Sequence, residues 1–387
     1  MLTKCPRCFS VLDDDSYAWM VPPEAAGQTN RDGVASAYVG AEVRCGSIHS
    51  LKRPPGYAAP LRRSTADISR QVNAPVVEIC PVCHFVLPNG WREGHALCIA
   101  MAGARATGKS MYIAVLIKQL GLLCERLGVS MEPATSSTTT SYANNYERPL
   151  FIQRGLIPPT PAADVQASYQ REPLVFNIGL WHGVRRYVVL RDVAGEDLEA
   201  GDLDAAHFRF FSNADAVFFM FDPLRVDVIR EQLQDLVPPQ SWSGGDPRSV
   251  LSNLLRAVGE GRPRLAVILP KFDVLRALSQ VEGSAWSQVM CNTGAACIRE
   301  SPALRQYDDV DGQLLHEEVR SLLLRLNGGS IVTGVENPPS GIRLNHRYFV
   351  VSALGQPPEG NRLNPRGIAP FRCLDPLRWV TASCGVL

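Results

Sequence analysis

Gly103-Ala-Arg-Ala-Thr-Gly-Lys-Ser110 has the form G-x-x-x-x-G-K-S, the spacing of a phosphate-binding loop. The stretch before it, Ala96-Leu-Cys-Ile-Ala-Met101, is an apolar run of strand length. The stretch after it, Met111-Tyr-Ile-Ala-Val-Leu-Ile-Lys-Gln-Leu120, reads as a helix. Strand, glycine-rich loop and helix in that order give the motif its mechanism: backbone N–H groups of the loop and of the helix N-terminus converge on phosphate oxygens. Gly103 and Gly108 permit the turn and the close approach, with Ala104, Arg105, Ala106 and Thr107 between them. Lys109 is expected to reach the β- and γ-phosphates, and the Ser110 hydroxyl to ligate Mg2+.

Beyond the loop the chain alternates strands and helices. Leu174–Trp181 and residues 186–190 read as strands, with His182-Gly183 as a hairpin turn between them. Ala214-Asp-Ala-Val-Phe-Phe-Met-Phe-Asp222 is a buried strand that ends on an acidic residue, and Arg264–Leu269 and residues 347–352 are two more. Helices are expected near 224–237, 247–259 and 312–327. The order predicts an α/β fold of the P-loop type, a mostly parallel sheet with helices on both faces. Residues 128–172 are long for a connection, so a helix near 141–154 and a mobile functional loop are expected there. Residues 280–345 read as an insertion, which leaves 96–387 as one α/β unit behind a first unit at 1–95.

The chain has 387 residues, 45% hydrophobic and 20% charged, with a formal net charge of +1. That composition belongs to a globular protein and gives no overall electrostatic pull toward nucleic acid or an acidic membrane. No apolar run approaches the roughly 20 residues of a membrane span. Met1-Leu-Thr-Lys-Cys-Pro-Arg-Cys8 has no signal-peptide core. Eleven cysteines, an odd number without a secretory signal, fit a reducing cytoplasm better than a disulfide framework.

Four cysteines stand out. Cys5-Pro-Arg-Cys8 and Cys80-Pro-Val-Cys83 are two C-P-x-C knuckles. The spacing turns both sulfurs of a knuckle toward one ion, and four thiolates make a closed tetrahedral site, so structural Zn2+ is expected, with iron as the chemical alternative. The long gap between the pairs makes 1–95 a zinc-ribbon-like module with an insertion in its middle. His84 reads as a surface histidine beside the site and Cys45 as a core residue. The short link from Cys83 to Ala96 predicts that the module packs on the α/β unit.

Three further strings sit at strand ends, where ligands of open α/β sheets bind. Asp192-Val-Ala-Gly195 places a carboxylate to hold Mg2+ through water and a glycine whose N–H can approach a γ-phosphate. Lys271-Phe-Asp273 offers a stem to lie along a purine and a carboxylate to accept two guanine N–H bonds. Ser352-Ala-Leu354 offers backbone groups to a guanine carbonyl. Glu196, Asp197, Glu199, Asp202 and Asp204 form a charged stretch that reads as a solvated switch loop.

With these motifs in this order, residues 96–387 resemble the translation-factor class of P-loop GTPases, which includes the Ras-like proteins. More narrowly, the chain resembles the bacterial double-GTPase families through Ala214-Asp-Ala-Val-Phe-Phe-Met-Phe-Asp-Pro223 and Asp375-Pro-Leu-Arg-Trp379. The resemblance implies GTP/GDP and Mg2+ as cofactors and slow GTP hydrolysis. The setting it implies is a multi-component bacterial system of protein partners, one of biological conflict or defence, with a nucleotide-dependent dimer among the expectations. Family order places the switch Mg2+ ligand at Thr160, with the Thr138–Thr140 cluster as its competitor. Pro270 stands where the base motif usually begins with Asn or Thr, and Glu196 where many relatives place Gln. Lys109, Glu196 and Arg105 are the candidate catalytic residues, Arg105 as an arginine finger in cis or in trans. The alternatives are a non-hydrolysing, nucleotide-loaded scaffold or partner-binding module, and an ATPase or small-molecule kinase.

Overall fold

The computed structural model describes residues 3–54, 63–158, 172–200, 206–225, 230–231, 245–280, 285–301, 306–326, 328–360 and 362–383. Between the cysteine knuckles lie strands β1 (Ser16–Met20), β2 (Asn30–Arg31), β3 (Arg44–Cys45), β4 (Ile48–Lys52) and β5 (Val77–Ile79). β4, β1 and β5 form an antiparallel three-stranded sheet, and β2 pairs with β3. Two short helices accompany them, α1 (Gly33–Val39) and α2 (Thr65–Val72). Asp32 caps α1 by accepting the Ala35 N–H, and a reciprocal capping box of Ser64 and Asp67 starts α2.

The main sheet contains β6 (His95–Gly103), β7 (Glu132–Pro133), β8 (Leu174–Trp181), β9 (Val184–Arg191), β10 (Ala216–Met220), β11 (Arg264–Leu269) and β12 (His346–Val350). Its order is β12-β11-β10-β6-β9-β8-β7. The five strands from β12 to β9 pair in parallel, and β8 and β7 add on antiparallel. A parallel strand with neighbours on both edges is hidden on its faces too, which explains why β6 after His95 and β10 are unbroken apolar runs. The expected hairpin is present: His182 and Gly183 both take positive φ, 51° and 78°, as a tight two-residue turn requires. At this level, a mostly parallel seven-stranded sheet with helices, the α/β expectation holds.

β6 lies between β9 and β10, so the connection leaving its C-terminal end starts where the chain's neighbours diverge. That connection leads into the helix α3 (Lys109–Arg126). Near 141–154 the chain is helical, as α4 (Ser136–Tyr142) and a wider-turned continuation to Ile152 with Pro149 inside it. Proline there has no N–H to give to the ordinary helical ladder. Residues 159–171 of the expected mobile loop, Thr160 among them, lie outside the described residues, as does most of the helix expected near 224–237. The insertion carries helices Ala285–Cys291, Asp309–Arg325 and Gly329–Glu336.

The knuckles and the main sheet share one hydrophobic core, while β1, β4 and β5 pack around two small clusters of their own. Cys5, Cys8, Phe9, Cys80 and Cys83 belong to the same buried cluster as β6 and β10. Trp91 packs at a tilt against Tyr187 of β9, ring centres 4.4 Å apart, and donates its indole N–H to the Lys4 carbonyl. Lys4 in turn reaches Asp215 at 2.6 Å and the Asn213 carbonyl at 2.7 Å.

Candidate functional site

The glycine-rich loop is held closely by its own groups. Gly103 has φ +147°, and a Cβ there would stand 2.5 Å from the Met220 carbonyl oxygen, so only glycine lets β10 pass. The Thr107 hydroxyl donates to the Ala104 carbonyl at 2.9 Å. Lys109 is buried and its ammonium donates to the carbonyls of Gly103 (2.8 Å) and Ala104 (3.2 Å). Burial lowers the Lys109 pKa, opposed by the nearby charges of Asp192 and Glu199. Ser110 lies in the first turn of α3, and Ala106 and Gly108 complete the loop with positive φ.

Asp192 follows β9 and is buried. Its Oδ1 accepts the Val193 N–H at 2.9 Å, while Oδ2 is buried with no hydrogen-bond partner among the described residues. Burial pushes its carboxyl up to about 6 against the pull of Lys109. A buried carboxylate oxygen with an open coordination direction beside a glycine loop suits a hard cation such as Mg2+. Gly195 begins the short helix α5 (Gly195–Ala200), where a Cβ would collide with the Ala104–Arg105 backbone.

The candidate hydrolytic residues neutralise one another. Arg105 Nη1 lies 2.9 Å from Glu196 and Nη2 3.6 Å from Glu199. The Arg105 amide donates to Glu199 Oε1 at 2.9 Å. Burial raises the Glu199 pKa, but the amides of Arg105 and Gly245 and the Arg105 guanidinium outweigh it, and the carboxyl falls below its ordinary range. The charged stretch is therefore not simply solvated: Glu199 turns inward onto the loop. Arg105 is engaged within its own chain, so the finger reaching a neighbouring protomer has no support in the geometry.

After β11 and β12, the expected base-recognition residues come together but are engaged with protein. The Lys271 ammonium pairs with buried Asp222 at 2.7 Å. The Ser352 hydroxyl donates to Asp273 at 2.5 Å and accepts the Gly355 N–H at 2.8 Å. Burial raises the Asp273 pKa, against the Ser352 hydrogen bond. Ala353 packs against the core, and the Leu354 carbonyl accepts the Ala369 N–H at 2.9 Å. Asp222 was legible only as the acidic end of a strand; its partnership with Lys271 was not.

The four cysteine thiols gather from both ends of the first unit. All lie within 4.8 Å of one another and all are buried. Cys5 and Cys83 are 3.5 Å apart and Cys8 and Cys80 3.7 Å, close to the roughly 3.8 Å edge of a tetrahedron with 2.3 Å metal–sulfur bonds. The knuckles fold alike. Phe9 and His84, each just after a second cysteine, have φ 58° and 56° and donate their N–H to the carbonyls of Cys5 and Cys80. The amides of Arg7 and Val82 point at the sulfurs of Cys5 and Cys80, both at 3.4 Å. Such bonds favour thiolates and orient them. His84 is half-buried and pairs with Asp32 at 2.8 Å, which accounts for it without a metal.

A family profile described as "ESX-1 scaffolding and assembly protein SaeC N-terminal domain" matches residues 15–78, the segment between the knuckles. A curated protein of Mycolicibacterium smegmatis (strain ATCC 700084 / mc(2)155), named "Putative ESX-1 scaffolding and assembly protein SaeC", is 64% identical over 386 residues, covering 100% of both chains. Among solved structures, sup35 complexed with GDP matches at 13% identity with a TM-score of 0.26, covering 70% of this chain and 41% of that one. A second solved structure, of a Thermus thermophilus protein, matches at 12% identity with a TM-score of 0.25, covering 66% of this chain and 37% of that one. This chain thus spans well under half of either, and likenesses this slight carry no argument about fold.

The full-length relative corrects the reading of the chain as a Ras-like GTPase, as a member of the double-GTPase families and as an enzyme that hydrolyses GTP, since its name describes scaffolding and assembly. The motif resemblance rested on short strings at strand ends, and two of the three residues nominated for catalysis, Arg105 and Glu196, form an ion pair with each other. With 64% identity across the whole length of both proteins, the chain belongs to the SaeC family of ESX-1 scaffolding and assembly proteins.

Proposed function

We propose that the chain is a scaffold in ESX-1 assembly: a non-enzymatic body that binds protein partners of a multi-component system and holds a phosphate-bearing ligand without turning it over. The printed name of the full-length relative supports the first part. The observation that carries the reading is the shared core, in which the cysteine site and the central strands are one buried cluster. That build suits a platform, because a surface fixed on both parts presents partners in a constant relative position.

Within this reading Zn2+ sits among Cys5, Cys8, Cys80 and Cys83 and acts structurally, as a closed four-thiolate site does. Strand, glycine loop and helix at 95–126 support the P-loop form of the α/β fold. Lys109 and the amides of Ala104 to Gly108 would hold phosphate. Asp192 would hold Mg2+, a role for which its unpartnered oxygen is the supporting observation. The ligand chemistry is that of a nucleotide, serving to order the loop. Free thiols throughout the described residues support a cytoplasmic setting.

The test is assembly. Purified, zinc-loaded protein is mixed with individual ESX-1 components and complexes are read by analytical ultracentrifugation, with phosphate release from GTP and ATP followed in parallel. Stable complexes without turnover are expected. Turnover well above a Lys109→Ala control, with no component bound, would sink the scaffold reading.

A further inference from the structure

The loop amide that a phosphate would use already has an anion on it. Glu199 Oε1 accepts the Arg105 N–H at 2.9 Å, and the same carboxylate is held by the Gly245 amide and faces the Arg105 guanidinium. Gly245 leads directly into the helix Pro247–Val258, whose Asn253 donates to the Leu198 carbonyl at 2.8 Å. α5 is thereby clamped between the loop on one side and that helix on the other. A carboxylate on backbone amides uses the interaction that a phosphate oxygen uses there. Two anions cannot share one amide.

We propose that Glu199 is a built-in phosphate mimic, which a nucleoside di- or triphosphate must displace to enter the loop. This rests on the phosphate-loop reading above, whose independent sign of a ligand is the buried, unpartnered Oδ2 of Asp192 near Lys109. The exchange has a mechanical result. When the ligand takes the Arg105 amide, Glu199 also leaves Gly245, so α5 loses its tie to the residue leading into the helix Pro247–Val258 while the Asn253–Leu198 bond remains. Ligand occupancy and the arrangement of these two helices are therefore coupled. The acid is part of the chain, so the closed arrangement needs no partner to form.

Calorimetric titration of magnesium complexes of GDP, ADP and pyrophosphate into the wild type, Glu199→Ala, Glu199→Gln and Lys109→Ala tests this. Removing the competing charge is expected to tighten binding about tenfold in Glu199→Ala, the worth of one charge-assisted hydrogen bond. Glu199→Gln, which keeps the shape, shifts the same way and stands in if the alanine variant does not fold. Amide exchange at Ala104 to Gly108 in the ligand-free protein is expected to quicken in both variants. Equal affinities in wild type and both Glu199 variants overturn the mimic and leave the loop reading standing. No binding of any of the three probes by any variant overturns both.

Discussion

Arg191 donates its guanidinium to the backbone carbonyl of Arg7, and this bond joins the first cysteine knuckle to the last residue of β9. The next residue is Asp192. The same guanidinium lies 4.0 Å over the Phe210 ring, and Phe210 meets Phe9 of the knuckle edge-on at 5.4 Å. Burial pulls the Arg191 pKa down to about 10, which still leaves it charged. Arg191→Ala removes the donor, the ring contact and the packing together. It is expected to cost about 2–4 kcal/mol in urea denaturation. Arg248→Ala, which breaks an exposed pair with Asp246, is expected to stay within about 0.5 kcal/mol of wild type. Similar small losses for both would mean that the joint contributes nothing.

Metal content is the direct check on the knuckles. Protein purified from zinc-supplemented medium should carry one Zn2+ per chain by mass spectrometry of the elements. Cys83→Ser should lose it and expose the module to protease between the knuckles while β6 to β12 stay protected. A strong chelator should do the same more slowly. A red, iron-containing preparation, or full stability of Cys83→Ser, would contradict the structural zinc assignment.

Asp192→Asn should stabilise the ligand-free protein at pH 7.5. The folded carboxyl is raised to about 6 from the ordinary 3.8. Its ionised form therefore burdens the folded state above pH 6, and the burden fades as pH falls through 6 toward 4. The asparagine variant should gain about 2 kcal/mol at pH 7.5 and almost nothing at pH 4. It should also lose any dependence of nucleotide binding on Mg2+. Thermal melts at the two pH values decide it, and destabilisation at pH 7.5 would show that the carboxylate is already satisfied.

His316 gives the opposite pH sign. It accepts the Tyr348 N–H through Nδ1 at 3.2 Å and stacks on that ring at 5.2 Å, with His346, Glu317, Glu336 and Arg347 around it. Burial lowers its pKa below 6.5. The neutral ring is the folded form, so its stabilisation is complete above pH 6.5 and is lost as pH falls below that value. His316→Asn, which keeps an acceptor and cannot charge, should flatten the fall in stability between pH 6.5 and 5. An unchanged slope in denaturant titrations would remove His316 from the account.

What the sequence made legible follows from burial. β6 beyond His95 and the whole of β10 are buried, so these residues are apolar without interruption and could be read directly. The knuckles were legible because C-P-x-C fixes local geometry, and the four sulfurs do meet. Pairing between distant polar residues has no such local signature. Nothing in Lys271-Phe-Asp273 announces that Asp222 holds the lysine and Ser352 the aspartate. Glu199 looked like one of several surface acids, and only the fold turns it onto Arg105. The larger miss was one of inference. G-x-x-x-x-G-K-S describes a loop that can hold phosphate, and hydrolysis was added from resemblance.

The matching turns of the two knuckles also bear on how the family-specific segment is carried. Residues 15–78 begin and end beside thiols that lie within 4.8 Å of one another. The segment is thus a closed excursion, pinned at its base and absent from the path of the main sheet. Its length can vary at little cost in loop closure, but its seating cannot, because Tyr38 of α1 lies in the same buried cluster as β6 and β10 and α1 packs against Ala206–Phe208. The cysteine cluster thus fixes where the segment leaves and re-enters the main unit, and α1 fixes how it lies there.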